Sequence, residues 1–160
     1  MADQKNDPRA GFRIDKMGNE YRLSGVIDEH ANLDFLRGVQ GRITVNIRDV
    51  RRINSVGVRQ WMEAMRAIPT TANVELVEAR PPIVDQINMV AGFLGRAKLL
   101  SFYAPMVCPN CDHQEEIQLD VAACKAAGGA LPSHPCPRCP GSVMELDDVE
   151  EEFTSFLHEL

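Results

Sequence analysis

Regular alternation of apolar and polar residues begins at Phe12. The run Phe12-Arg13-Ile14-Asp15-Lys16-Met17 alternates, Gly18-Asn19 is turn chemistry, and Tyr21-Arg22-Leu23-Ser24-Gly25-Val26 alternates again. Period-two patterns flanking a Gly/Asn turn predict a β-hairpin. Asp28 to Leu36 then reads as a short helix, with Leu33 and Leu36 at helical spacing. Arg42 to Arg48, β-branched on one face, predicts a third strand, followed by a loop from Asp49 to Ser55. Beyond it Val58, Trp61, Met62, Met65 and Ile68 form one apolar stripe of an amphipathic helix that Pro69 ends. Such a stripe is the core-facing side of a helix. Val74 to Ala79 is a fourth strand, and Pro81-Pro82 suits the first turn of a helix running from Ile83 to Phe93. That helix places Ile83, Ile87, Val90 and Leu94 together, with Gly95 as its cap. Lys98 to Val107 returns as a last strand and runs directly into Cys108.

The pattern changes there, and chemistry enters. Cys108-Pro109-Asn110-Cys111 and Cys136-Pro137-Arg138-Cys139 are two Cys-Pro-x-Cys pairs. Each such turn offers two thiolates to one ion, and structural zinc takes four tetrahedral ligands, so Cys108, Cys111, Cys136 and Cys139 are the expected ligands of Zn2+. Disulfides or a redox dithiol are the alternatives. A redox motif, however, is usually a single Cys-x-x-Cys opening a helix in a βαβ context, and neither pair sits in that setting. A closed four-thiolate site leaves no open position for catalysis. Cys124, among alanines, reads as a buried thiol. His113 and His134 lie near the pairs without being needed as ligands. Gln114 to Leu119 and Ser142 to Leu146 look like partner strands, which makes the layout knuckle, strand, insertion, knuckle, strand: a zinc ribbon. Phe153, Phe156, Leu157 and Leu160 share one helical face at the end of the sequence, and packing inside the chain or docking on a partner would each cover it.

Composition narrows the classes. A hydrophobic fraction of 44% over 160 residues suits one ordinary domain plus a small module. The expected division is a disordered tail over residues 1–10, an α/β domain over 11–107, and a zinc-ribbon module with a C-terminal helix over 108–160. A net charge of -6 argues against nucleic acid as a partner. No apolar run has the length of a membrane span, and the polar start lacks a signal-peptide core, so a cytoplasmic protein without direct membrane insertion is expected.

The order β-β-α-β-α-β-α-β over residues 12–107 resembles a STAS domain of the anti-anti-sigma factor type. Three anchors carry the likeness. Ser24-Gly25-Val26-Ile27-Asp28 is similar to the family's Gly-x-Leu-Asp; Asn54-Ser55-Val56-Gly57 is similar to its Asp-Ser-Ser-Gly; and Pro82-Ile83-Val84 through Gly92-Phe93 to Lys98-Leu99-Leu100 is similar to its final helix and strand. The resemblance implies a mixed sheet with helices packed on it. It further implies Ser55 as the target of a partner serine kinase, and Asp28, Asn54, Val56, Gly57 and Arg59 as partner-binding residues. Asn54 and Val56 depart from the family's Asp and Ser, and capping of the helix by Asn54 or Ser55 is the simpler role for that turn.

No Ser/His/Asp constellation, phosphate loop or glycine fingerprint is present, so no enzyme is expected. The reading is a regulatory or adaptor protein whose partner is an anti-sigma-type serine kinase. The alternative is an accessory subunit bound to the ATPase of an ABC-type lipid transporter, or another scaffold component. A homodimer is compatible with either.

Overall fold

The computed structural model describes residues 11–160. The tail expected over residues 1–10 lies outside them. Contacts divide the chain into two compact units, one running up to Val77 and adding Gly92–Leu99, the other comprising Glu78–Ala91 and Leu100–Leu160. The second unit therefore takes in a helix and a strand that sequence alone groups with residues 11–107.

In the first unit, β1 (Arg13–Met17) and β2 (Glu20–Ile27) form the expected antiparallel hairpin, with Ile14 opposite Leu23. The helix expected from Asp28 to Leu36 reduces to one 3-10 turn, Asp34–Arg37. Two short side chains explain the loss: Asp28 accepts from the His30 amide and Asn32 from the Asp34 amide, both at 2.9 Å. The Asp34 amide is one that a helical ladder would need, and the Asp28 bond holds the chain in a local turn instead. β3 (Gly41–Ile53) is far longer than expected and runs through the predicted loop at 49–53. It pairs in parallel with β2, across two register shifts, up to Ile53, and with β4 (Ala72–Val77) only over Gly41 to Asn46.

Helix α1 (Ser55–Arg66) follows, and β5 (Lys98–Leu99) completes a five-stranded sheet in the order β1-β2-β3-β4-β5. Only β1 is antiparallel, so the sheet is mixed. Its core holds Leu23, Ile27, Val45, Ile47, Val74 and Leu76 against Trp61 and Met65 of α1. Trp61 stacks on Phe93 at 5.4 Å between ring centroids and donates its indole N–H to the Phe93 carbonyl at 3.0 Å. Burial of one Met65-sized side chain contributes roughly 1.5–3 kcal/mol. Gly95, expected as the cap of the next helix, instead lies over Met65: a Cβ there would come within 2.7 Å of Met65 Cβ.

The second unit begins with α2 (Pro81–Met89), opened by the two prolines and ended at Val90, short of the expected Phe93. The predicted last strand divides after Leu99. Its first two residues are β5, and the rest is β6 (Ser101–Val107), the centre of a separate three-stranded sheet. β7 (Gln114–Asp120) and β8 (Glu145–Leu146) were expected to pair with each other. Both instead pair antiparallel with β6, which lies between them. Phe102, Ala104 and Met106, alternating along β6, are buried, which is the pattern of a strand whose one face is core.

α2 packs on β6 and on the C-terminal segment. α3 (Val121–Ala126) is the expected helical insertion, capped by Asp120. Three residues of the terminal stripe, Phe153, Phe156 and Leu157, are buried, while Leu160 is exposed. The segment forms α4 (Glu150–Phe153) and a 3-10 turn, Ser155–His158, that place Phe153 and Phe156 against Phe102 at 6.2 and 5.1 Å. Asn88 of α2 pins this segment by donating to the Phe153 carbonyl and accepting from the Phe156 amide, both at 2.9 Å, and from the Ser155 hydroxyl at 2.8 Å. Among the described residues no helix is long and apolar enough to cross a membrane.

Candidate metal centre and partner face

The first cysteine pair follows β6 without a break. Cys108 donates its amide to the His113 carbonyl at 2.9 Å, the Asp112 amide returns to the Cys108 carbonyl at 3.0 Å, and Asp112 takes a left-handed φ of 58° to close the turn. The second pair is built alike: Cys136 donates to the Ser142 carbonyl at 2.9 Å and Ser142 to the Cys139 carbonyl at 3.0 Å, with Gly141 at φ 82°. Polar side chains cross between the two turns. Ser142 Oγ lies 3.3 Å from Cys108 Sγ, and Asn110 Nδ2 donates to Cys139 Sγ at 2.6 Å.

The sulfurs of Cys108, Cys111 and Cys136 all lie within 4.8 Å of one another, and Cys111 and Cys136 are 3.6 Å apart. That spacing is far longer than a disulfide. It is close to the ~3.8 Å separating two sulfurs on a tetrahedral ion with bonds of about 2.3 Å. All five cysteines are free thiols. The Ser142 hydroxyl holds the Cys108 thiol down to about 6 against the effect of burial, helped by the Cys111 and Asn110 amides. Cys111 shows the opposite balance. The His113 amide pulls it down, but burial and the Cys108 and Cys136 sulfurs push it up to about 11. One thiolate thus opposes the next, and a cation among them removes that opposition. With Cys139 three residues beyond Cys136, these four cysteines have the donors and proximity to hold a metal ion.

His113 and His134 turn away from sulfur. Their Nε2 atoms meet the two oxygens of Glu115, at 3.1 and 2.5 Å, and the contacts of His134 first and His113 second keep this carboxyl below its usual range. Glu115 thereby ties β7 to the segment entering the second turn. Cys124 is buried in α3, and burial followed by Asp120 pushes its thiol up, so it is an unreactive core group. Asn110, Ser142 and Glu115 escaped the reading of the sequence. Isolated polar residues have no periodic signature, and only the fold brings them to the cysteines.

The other expected site is the start of α1. Asn54 is the cap: its side chain accepts from the Gly57 amide at 2.8 Å, and its own amide donates to the Ile27 carbonyl at 3.1 Å. Ser55, Val56 and Arg59 are exposed, and Asp28 is half-buried with its carboxylate on the His30 amide. Gln60, its amide oriented to suit its neighbours, donates to the carbonyls of Asp28 and Ala31 at 3.0 and 2.9 Å. Gly57 is buried, because α1 presses on the end of β2 so closely that a Cβ would stand 1.9 Å from the Ile27 oxygen. The end of β2 and the start of α1 thus bring Asp28 and Asn54 to Arg59 into one region, bordered by exposed Arg51 and Arg52 at the end of β3.

Comparison of the chain with known protein families, with known proteins and with solved structures found no match.

Proposed function

We propose that the chain is a non-catalytic adaptor. A STAS-like region docks a protein partner through the turn at Asn54 to Arg59, and a zinc-ribbon-like region with Zn2+ on Cys108, Cys111, Cys136 and Cys139 supplies a second surface. Exposure carries this reading. The side chains of Ser55, Val56 and Arg59 are exposed and make no hydrogen bond or ion pair among the described residues, and the cap bond they flank is made by Asn54. Four thiol ligands in a closed arrangement favour zinc in a structural role. Reduced thiols of this kind suit the cytoplasm.

In this reading Ser55 is the phosphorylation target of a serine kinase of the anti-sigma type. A phosphate adds about -1.5 to -2 charges, and a helix start beside Arg51 and Arg52 favours an anion. The transporter reading, in which the same face binds an ATPase without a switch, draws support from Asn54, whose uncharged side chain is committed to the helix cap.

Affinity purification of the tagged protein from its source, with mass spectrometry of partners, phosphosites and bound metal, tests both. A serine kinase with phosphate on Ser55 supports the switch; a transporter ATPase with unmodified Ser55 supports the adaptor without one. Partner recovery unchanged by Val56→Asp and Arg59→Glu would remove this face from the interaction.

A further inference from the structure

The net charge of the chain conceals an uneven division. Among the described residues the first unit has 12 Lys and Arg against 8 Asp and Glu, and the second has 3 against 13. The few cations of the second unit do little to offset this. Arg80 pairs with Glu116 and Lys125 donates to the Leu160 carbonyl, which leaves Arg138. The stretch Glu145, Asp147, Asp148, Glu150, Glu151 and Glu152 is exposed and makes no ion pair among the described residues. Self-repulsion is felt nearby, where burial first and Asp148 second push the Asp85 carboxyl up.

The first unit carries the opposite net charge. Arg51 and Arg52 end β3 and Arg59 stands on the second turn of α1; all three are exposed and none has an ion pair among the described residues. Long-range attraction between such surfaces speeds encounter and selects the partner.

We propose that Arg51, Arg52 and Arg59 of one copy dock the Glu145 to Glu152 segment of a second copy of the chain. Charge complementarity chooses this occupant. Every copy brings both halves of the contact at equal concentration. A nucleic acid, by contrast, would have to approach a chain whose other unit carries 13 acids and repels phosphate. Exposed ion pairs are individually weak. The association is therefore shallow in affinity and steep in salt. It goes beyond the adaptor reading and does not depend on it.

Sedimentation velocity of the full, metal-loaded chain decides it. At about 0.01 M salt, where the screening length is about 30 Å, the chain self-associates with rising concentration; at about 1 M, where that length is about 3 Å, it is monomeric. R51Q/R52Q/R59Q and E150Q/E151Q/E152Q each weaken association at low salt by about tenfold or more. R66Q/R96Q, which neutralises exposed arginines elsewhere in the unit, behaves as wild type. Mixing the first two variants restores a dimer, because each keeps the half the other lacks. Circular dichroism verifies that all three are folded. A chain monomeric at low salt, variants that associate as wild type does, or a mixture without dimer overturns the proposal. So does retention of duplex DNA by the arginines in a chain that stays monomeric.

Discussion

Replacing Gly57 by alanine tests the close seating of α1 on β2. In an ordinary exposed helix the change would stabilise by about 1 kcal/mol, since glycine is a poor helix former. Here a Cβ would stand 1.9 Å from the Ile27 oxygen and 2.6 Å from the Ile27 carbonyl carbon, and the atoms it meets are backbone. Reaching the 3.4 Å of ordinary contact requires the first turn of α1 to retreat by about 1.5 Å. That movement strains the hydrogen bond from the Gly57 amide to the Asn54 side chain at 2.8 Å and the one from the Asn54 amide to the Ile27 carbonyl at 3.1 Å. Overpacking costs about 1–3 kcal/mol. A lost cap adds about 1 kcal/mol, so after the helix-propensity gain the net destabilisation is about 2 kcal/mol. Urea unfolding followed by Trp61 fluorescence reads it as a midpoint lower by about 1 M. Gly38→Ala is the control, since its Cβ would meet nothing closer than 4.0 Å at a φ of -110°. A Gly57→Ala midpoint at or above wild type would refute the close seating of α1, and with it the geometry assigned to Ser55 and Arg59.

The remaining predictions concern the second unit. Cys108→Ser abolishes stoichiometric metal binding by elemental analysis, and Ser142→Ala, which removes the hydroxyl beside Cys108, weakens it about 10–100-fold in a chelator competition; one ion per chain held undiminished by Cys108→Ser counts against the site. Asn88→Ala removes all three bonds that pin the C-terminal segment and costs about 1–3 kcal/mol, seen as faster proteolysis around Phe153; unchanged digestion argues against the pinning. Asp85→Asn has a sign fixed by linkage. A carboxyl whose folded value is raised destabilises the fold when ionised, so the substitution stabilises near pH 7, and the gain fades as pH falls through the raised value towards the ordinary 3.8. An equal gain at pH 7 and below pH 3.8 would show that charge is not its cause.

Local pattern carried the hairpin, α1 and the cysteine pairs into the structure nearly intact. These depend on neighbours in sequence: alternation across Gly18, an apolar stripe through Trp61 and Met65, two Cys-x-x-Cys turns. Pairing between distant strands was less legible. Nothing in the alternation of Gln114 to Leu119 says that β6, rather than β8, lies beside it, because either partner satisfies the same inward and outward faces. Lys98 to Val107 reads as one strand, yet β5 and β6 belong to different sheets. The loop after Asp28 misled for a different reason: Leu33 and Leu36 keep helical spacing and are buried, while Asn32 takes the Asp34 amide that a helix would use. At the cysteines the donors were visible, but the groups that tune them, Ser142 and Asn110, gain meaning only from folding.

The chain has five cysteines. Four cluster in two turns, and the fifth, Cys124, is only 3% exposed, with its thiol pushed up by burial first and Asp120 second. Thiol reactivity therefore forms a ladder. A colourless disulfide reagent should count no reactive sulfur in the native metal-bound chain, four after a chelator strips the ion, and the fifth only once α3 is unfolded. The same cuvette then separates two events that a melting curve merges, release of a bound ion and loss of α3.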